Sequence, residues 1–362
     1  MRMDASRRAP KGAGSSREST AASPRRPGKA SRATPRNLMR PLVLALLLLA
    51  ASTLVSRWVG YRMLDLSLLR EDETARTLFF QLRLPRVVLG GILGASLGAV
   101  GACLQAFFRN PLAEPFTLGV SGGGTLGASV AIALGWGINL AGVPMVFLAA
   151  FAGSAAAVLV VYWLSRTGDV VMPGTLLLAG VVVNLIASAG VILIQYIADY
   201  SRALQILRWT IGTIDVVGFD RIWRMLILLI PGWAILLAIT RDLHLLAMGE
   251  ESAASLGVNV RRCERLVYIA SSLIVGVAVA EGGTIAFVGL IIPHAVRLVL
   301  GQDVRLVLPC SFLVGAGFLM LADALARTAL TSGELPVGAV TAVIGGITFL
   351  GLLRRQRRFS AI

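Results

Sequence analysis

The sequence predicts an all-α polytopic membrane protein with about ten transmembrane helices. Of the 362 residues, 56% are hydrophobic and only 15% are charged, and the mean hydropathy is +0.79. Uncharged runs at 87–108, 143–165 and 170–198 each exceed the roughly 18 residues that a membrane-spanning helix needs. A soluble core of this length would interleave charged residues with apolar ones, so we exclude a soluble globular domain.

Ten apolar segments fall between residues 41 and 353, which we predict to form one transmembrane domain. We place the spans at roughly 41–58, 86–105, 112–134, 143–164, 171–197, 224–240, 264–281, 285–300, 306–326 and 336–353.

Both ends of the chain are basic. Residues 1–40 hold 11 of the 34 lysines and arginines and lack a periodic apolar pattern, so we expect a disordered tail. Residues 354–362 form a second basic end. An even number of spans places both ends on one side, and positive charge marks that side as cytoplasmic. Because much of the charge sits in the tail, the net charge of +15 does not indicate a nucleic-acid partner.

Glycines recur every fourth residue in the second and third spans. Gly90, Gly94 and Gly98 form one such row, and the third span carries another at positions 119, 123 and 127. Rows of this kind allow helices to approach closely in lipid. The G-x-G-x-x-G pattern at 122–127 is not a dinucleotide site, because no βαβ unit surrounds it.

A polar island at 248–258 (MGEESAASLGV) separates two long apolar segments. Two carboxylates open a predicted short helix over 250–256, and Gly257 ends it. A helix of this length is not stable alone, so it must dock against something. A capped surface loop joining two spans is the competing interpretation.

Four other stretches differ from plain spans. Prolines bracket a turn at 109–115 (RNPLAEP), and glycine and proline interrupt 281–294 at membrane depth, which indicates a broken helix. RLPR at 83–86 and the segment from Asp323 to Arg327 place arginines on the side opposite the termini. Such arginines either meet a partner or snorkel to the interface.

No enzyme motif survives inspection, and we expect no cofactor or metal site. The G-x-S-x-G at 119–123 lies inside an apolar span, where a nucleophile elbow would need a strand before it. The only lysines, Lys11 and Lys29, belong to no P-loop, so the chain has no nucleotide site of that kind. Uphill transport would therefore need another subunit or an ion gradient. Glu114, Glu281 and Asp323 lie near span ends, which disfavours the gradient.

Six ordered stretches resemble the FecCD-type permeases of ABC importers for iron chelates (siderophores, haem) and vitamin B12. They are RLPR at 83–86, Gln105 with RNPLAEP at 109–115, LGVSGG at 118–123, GEESAASLGV at 249–258, FVGLIIPHAVR at 287–297, and ADALAR with ELPVGAVTAVIGG at 322–346. The resemblance covers about residues 41–353.

The resemblance implies a type II ABC importer permease architecture, in which an inverted repeat relates spans two to five to spans seven to ten. It implies a homodimer in the bacterial cell inner membrane, with the substrate pathway along the dimer axis. Its partners would be two cytoplasmic ABC ATPase subunits and a periplasmic or lipid-anchored substrate-binding protein. The chain itself would have no ATPase activity.

The resemblance also assigns residues. ATPase coupling falls to Gly249, Glu250, Glu251, Ala253, Leu256 and Gly257. Docking of the binding protein falls to Arg83, Arg86 and Arg327. Asn110 and Leu112 are similar to a cytoplasmic gate, and Pro173 with Gly174 lie near a second gate, although small hydroxyl residues are expected there.

The substrate is less constrained. An iron chelate is the first expectation, cobalamin is the second, and an ion-coupled secondary transporter is an alternative from another class. Arg202 and Arg208 would favour an anionic chelate if they face the pathway, or they are interface arginines.

Overall fold

The computed structural model describes residues 35–58, 72–140, 142–167, 170–330 and 333–359. The first half of the chain forms α1 (Pro35–Trp58), α2 (Glu73–Thr77), a π-helical stretch (Leu78–Arg83), α3 (Leu84–Phe107), a 3₁₀ turn (Pro115–Leu118), α4 (Val120–Ala133), α5 (Met145–Ser165) and α6 (Pro173–Ile197).

The second half forms α7 (Tyr200–Ile211), α8 (Asp220–Ala238), α9 (Thr240–Ala247), α10 (Glu250–Ser255), α11 (Val260–Gly282), α12 (Val288–Leu300), α13 (Val304–Thr328) and α14 (Val337–Phe359). Two antiparallel pairs of two-residue strands flank α5. They are β1 (Asn139–Leu140) with β2 (Val143–Pro144), and β3 (Arg166–Thr167) with β4 (Val170–Val171).

The ten predicted spans each overlap an apolar helix. Within the described residues, seven helices are long and apolar enough to cross a membrane, and three shorter apolar ones, α4, α12 and the apolar part of α14, complete the set. The all-α polytopic fold is therefore confirmed. Three helices outside the predicted spans, α2, α7 and α9, were missed.

The structure differs from the predicted domain boundaries at both ends of the chain. Helix α1 begins at Pro35, so residues 35–40, which we expected to be disordered, are helical. Residues 1–34, the rest of the predicted tail, lie outside the described residues. At the other end α14 continues to Phe359, so most of the predicted basic end extends the tenth helix, and residues 360–362 are not described.

Glycine rows hold two pairs of helices, α3 with α13 and α4 with α5, at backbone contact. A Cβ on Gly94 of α3 would lie 2.2 Å from the carbonyl oxygen of Gly315 in α13. A Cβ on Gly123 of α4 would lie 2.3 Å from the carbonyl oxygen of Gly153 in α5. Any side chain at these positions would separate the helices, so close packing explains both rows.

The bundle has two ends, which we call the island face and the arginine face. Arg109, just after α3, pairs with Glu250 at the island face, and Arg86, at the start of α3, pairs with Asp323 at the arginine face. Arg327 also contacts the carbonyl oxygen of Ser56 near the end of α1. Helix α1 therefore starts at the island face. Helix α14 starts beside the end of α13, at the arginine face, so α14 finishes at the island face.

The two halves of the chain have matching breaks. The short helices α4 and α12 are each preceded by a left-handed residue, Gly119 with φ 81° and Phe287 with φ 68°. Helix α3 runs from the arginine face to the island face, whereas α11 starts beside the island and runs the opposite way. Spans two to five and seven to ten thus form the inverted repeat.

Candidate functional sites at the two faces of the bundle

The polar island folds as the six-residue helix α10, Glu250–Ser255. Gly249 precedes it with φ 134° and Gly257 follows it with φ 85°, a region that side-chain-bearing residues rarely adopt. Glu250 and Glu251 occupy the first turn, where the helix dipole favours negative charge. The helix ends one residue earlier than predicted, so Leu256 caps it instead of belonging to it.

One side of α10 is fixed to the bundle. Ala253 is fully buried, and α10 packs on α9 and α11. The guanidinium of Arg109 lies 2.9 Å from the Glu250 carboxylate, and both side chains are about half exposed. The other side is uncovered in the described chain, with Met248 exposed and Leu256 62% exposed. The island is therefore a docked helix whose uncovered side is flanked by two exposed apolar residues, and the plain-loop interpretation is wrong.

The turn at 109–115 places the first predicted gate beside this helix. Arg109 adopts a left-handed φ of 50°. The side-chain oxygen of Asn110 accepts the N–H of Leu112 at 2.9 Å, and the backbone oxygen of Asn110 accepts the N–H of Ala113 at 3.1 Å. Leu112 is exposed at the tip of this tight turn.

The second predicted gate lies at the same face. Pro173 is the first residue of α6 and Gly174 the second. Gly174 is exposed, and a Cβ there would meet nothing within 4 Å. Two turns further on, a Cβ on Gly180 would lie 1.8 Å from the carbonyl oxygen of Thr117, which fixes the start of α6 against the 3₁₀ turn. Both predicted gate segments therefore flank the same broken stretch before α4.

At the opposite face, two arginines share one carboxylate. Asp323, whose side chain is 1% exposed, lies 3.0 Å from Arg86 and 2.9 Å from Arg327. Arg86 also reaches Glu334 at 2.7 Å. Arg327 is 6% exposed and donates to the carbonyl oxygen of Ser56 at 3.1 Å. In this conformation Arg327 holds Asp323 and is largely buried, although it also lines an open cavity at this face, so its docking role stays a prediction.

Arg83 and Arg86 line an open cavity of about 960 Å³ at the arginine face. Charges of both signs surround it, with Arg221 and Arg224 from α8 and Glu334 among the lining residues. Arg83 and Arg86 are half-buried there. All three predicted docking arginines line this cavity, and Arg83 and Arg86 are more exposed than Arg327.

Two polar clusters escaped the sequence reasoning. The Glu281 carboxylate, 2% exposed, pairs with Arg221 at 2.8 Å and joins α11 to α8. Gln105 of α3 donates to the carbonyl oxygens of Gly289 and Leu290 at 3.2 and 3.1 Å and accepts from Arg297. No spacing pattern joins these positions, because the paired residues are distant along the chain. The broken stretch at 281–294 was the only local signal.

The two halves also meet through Glu114. Its carboxylate accepts the backbone N–H of Phe287 at 2.8 Å, directly before α12. Phe287 holds the left-handed φ of 68°, so this bond satisfies a donor at a strained turn. The turn after α3 and the break before α12 are thus one connected structure.

Comparison with known proteins places these features in context. A model of the FecCD transport family matches residues 42–355. The chain is 40% identical over 296 residues to the uncharacterized ABC transporter permease protein YvrB of Bacillus subtilis (strain 168), covering 80% of this chain and 82% of that protein.

Two relatives carry substrate names. Over 283 residues the chain is 42% identical to the cobalamin import system permease protein BtuC of Halobacterium salinarum, covering 78% of this chain and 74% of that one. Over 281 residues it is 37% identical to the hemin transport system permease protein HmuU of Yersinia pestis, covering 77% and 84%.

A solved structure has the same fold. It is an inward-facing conformation of an ABC transporter proposed to be of the metal-chelate type. It superposes with a TM-score of 0.77 at 31% identity, covering 88% of this chain and 99% of the solved chain.

Proposed function

The chain belongs to the FecCD transport family of ABC importer permeases, and on this premise we propose that it translocates an iron chelate across the inner membrane. The chelate would be a ferric siderophore or haem, and the energy would come from separate ATPase subunits. The observation that carries the coupling part is helix α10, whose buried Ala253 attaches it to the bundle while its other edge stays uncovered.

The island face is the cytoplasmic one in this proposal. Both described ends of the chain, the start of α1 and the end of α14, lie at that face, and the basic residues near them favour the cytoplasm. An ATPase would receive α10 in a groove that covers Leu256 and contacts Glu251. The gate segments at Asn110, Leu112, Pro173 and Gly174 would lie directly above it.

The arginine face would receive the substrate-binding protein. Arg83 and Arg86 offer positive charge beside an open cavity, and Arg327 would stabilise Arg86 through their shared Asp323. Charge pairing of this kind mainly sets the register and the rate of association. A second copy of the chain would complete the translocation pathway along the dimer axis.

Cobalamin is the second candidate substrate, because the named relatives include permeases for cobalamin and for hemin. Arg202 gives no support to an anionic chelate. It pairs with Asp199 at 3.1 Å and donates to the carbonyl oxygen of Ala133 at 2.6 Å, so it joins the start of α7 to the end of α4. An ion-coupled secondary transporter is less favoured, because the buried carboxylates Glu281 and Asp323 are both held by arginines.

Reconstitution tests the function. Proteoliposomes containing the chain, a candidate ATPase and a candidate binding protein should accumulate a ferric siderophore or haem when ATP is enclosed. Accumulation of cobalamin alone would select the second candidate. Accumulation without any ATPase, driven by an imposed ion gradient, would overturn the importer proposal.

The coupling assignment has its own test. Glu250→Lys and Gly257→Pro should each abolish co-purification with the ATPase and ATP-dependent uptake. Glu73→Lys is the matched control, because it makes the same charge change at an exposed position near the arginine face. If both island variants retain the ATPase and uptake, α10 is not the coupling helix.

Docking is tested at Arg83. Arg83→Glu should weaken association with the binding protein at low salt and have little effect at high salt, because exposed charges are screened. Arg241→Glu, an exposed arginine of the island face, is the control. Equal affinity of the Arg83 variant and the unmodified chain at low salt would refute this assignment.

A further inference from the structure

An apolar groove of about 450 Å³ lies on the side of the bundle between α5, α11 and the start of α6. Its walls include Phe151, Val158 and Leu159 of α5, and Ile269 and Leu273 of α11. Leu159 and Ile269 are exposed, so the groove opens sideways from two membrane-spanning helices. At this depth the surrounding medium is the hydrocarbon of the bilayer.

Polar atoms line one wall of this groove in helical register. Arg265, Tyr268 and Ser272 of α11 all face it, at spacings of three and four residues. Their Cα atoms rise by about 4.5 and 6 Å along the helix axis. Because side chains on a helix lean toward its N-terminus, Tyr268 leans toward Arg265. The polar row thus runs from the island face into the apolar groove.

These atoms have unused hydrogen-bonding capacity. Within the described residues, the Tyr268 hydroxyl and the Ser272 hydroxyl are buried without a hydrogen-bond partner, and Tyr268 is only 7% exposed. The exposed Arg265 makes a long 3.4 Å bond to the carbonyl oxygen of Arg261 and forms no ion pair with a described carboxylate. The neighbouring Glu264 has Arg261 as its nearby opposite charge and Glu250 as a nearby like charge. A buried donor of this kind costs free energy unless a ligand satisfies it.

We propose that this groove binds an anionic phospholipid, with an acyl chain between α5 and α11 and the phosphate on Arg265. The Tyr268 and Ser272 hydroxyls would donate to the ester oxygens that join the headgroup to the chains. Arg265 lies in the second turn of α11, near the island face, where a long basic side chain reaches the headgroup layer. A second copy of the chain would offer an apolar surface, but it would not account for the arginine and two hydroxyls in one row.

The site differs from those proposed for transport. It lies on the lateral surface of α5 and α11, away from the exposed edge of α10 and from the cavity at the arginine face. Its occupancy is therefore measurable without an ATPase, a binding protein or a transported chelate.

Native mass spectrometry of the detergent-purified chain tests the proposal, with phosphatidylglycerol or phosphatidylcholine added at equal concentration. The unmodified chain should retain phosphatidylglycerol more strongly. Arg265→Gln should weaken phosphatidylglycerol retention about fivefold, the effect of one basic residue at an anionic headgroup, and leave phosphatidylcholine unchanged. Arg241→Gln, an exposed arginine elsewhere at the island face, should match the unmodified chain.

Two further variants separate the parts of the site. Ala155→Phe places a ring in the exposed mouth of the groove and should reduce retention of both lipids. Tyr268→Phe should weaken lipid retention while the aromatic packing remains. If the Arg265 and Ala155 variants retain as much phosphatidylglycerol as the unmodified chain, the proposal is overturned. It is also overturned if Arg241→Gln loses as much phosphatidylglycerol as Arg265→Gln. Loss of dimers on Ala155→Phe without any lipid preference would assign the groove to a second copy instead.

Discussion

Replacing Asp323 by asparagine should lower the free energy of unfolding by about 3–5 kcal/mol, the cost of breaking a buried ion pair from one side. Asp323 is 1% exposed and lies within 3.0 Å of both Arg86 and the 6% exposed Arg327. Asparagine keeps the size and one acceptor oxygen, but it removes the charge that compensates two guanidinium groups. Arg327 would then be left buried without the carboxylate that forms its ion pair.

The assay is unfolding in mixed detergent micelles, with the denaturing detergent as the variable and helix content as the signal. Glu334→Gln is the matched control, because Glu334 also pairs with Arg86 but is 55% exposed. Glu334→Gln should lower the free energy of unfolding by about 0–1 kcal/mol, the usual contribution of an exposed ion pair. The double variant Asp323→Asn with Arg327→Gln should recover part of the stability, since the two residues are directly coupled.

A loss below about 1 kcal/mol for Asp323→Asn would refute this reasoning, because it would mean that water or another group compensates the arginines. The same experiment tests the position of Arg327. If Arg327→Gln leaves stability unchanged but weakens association with the binding protein, then Arg327 faces the partner and the buried arrangement does not represent the docking state.

Three other predictions follow from individual contacts. Gly101→Ala should destabilise the fold by about 1–3 kcal/mol, because the added Cβ would lie 1.9 Å from a facing carbonyl oxygen. Gly346→Ala is the control and should not destabilise the fold, since a Cβ there meets nothing within 4 Å. Equal stability of the two variants would contradict the packing argument. Glu114→Ala should lower ATP-driven uptake and reduce the free energy of unfolding by about 1–3 kcal/mol, because the backbone N–H of Phe287 loses its acceptor. Glu114→Gln keeps an acceptor oxygen and should restore most of the uptake and of the stability. If Glu114→Gln restores neither, Glu114 does not act as a hydrogen-bond acceptor there. The Arg305 side chain, which donates to Asp303, lowers the pKa of that carboxyl below 3.8, so its stabilising effect is present at neutral pH and is lost as pH falls through the lowered pKa. The stability gap between the unmodified chain and Asp303→Asn should therefore close below about pH 4, and a constant gap in a pH series would refute the charge effect.

The spans were predictable because each is a long uncharged run, a signal that needs no knowledge of the neighbours. Helices α7 and α9 escaped because they are short, 12 and 8 residues, and mix polar with apolar positions. Their position depends on packing: Ile206 and Leu243 are buried by contacts with other helices. Length and mean hydropathy do not carry that information.

The candidate sites divide in the same way. The acidic start of α10 and the glycine after it are local features, and the structure has both. One partner of Arg327 could be predicted from the sequence, since Asp323 lies four residues before it on the same helix face. The other arginine that pairs with Asp323, Arg86, is 237 positions from it along the chain, so only the folded bundle brings the two together.

The attachment of α10 determines how a docked ATPase would act on the bundle. Its salt bridge to Arg109 is about half exposed, so it contributes at most about 1 kcal/mol and can break and re-form in water. Its buried Ala253 packs on α9 and α11, and α9 inserts Leu243 and Leu246 into the core against α3 and α13. Packed interiors yield little to compression, so a displacement of α10 by a docked ATPase would pass through α9 to the α3 and α13 pair. That pair is held at backbone contact along its glycine row and carries the Arg86 and Asp323 cluster at its far end. In the proposed mechanism the close packing of Ala253, Leu243 and Leu246 would therefore transmit the movement of α10, and the half-exposed salt bridge would contribute little.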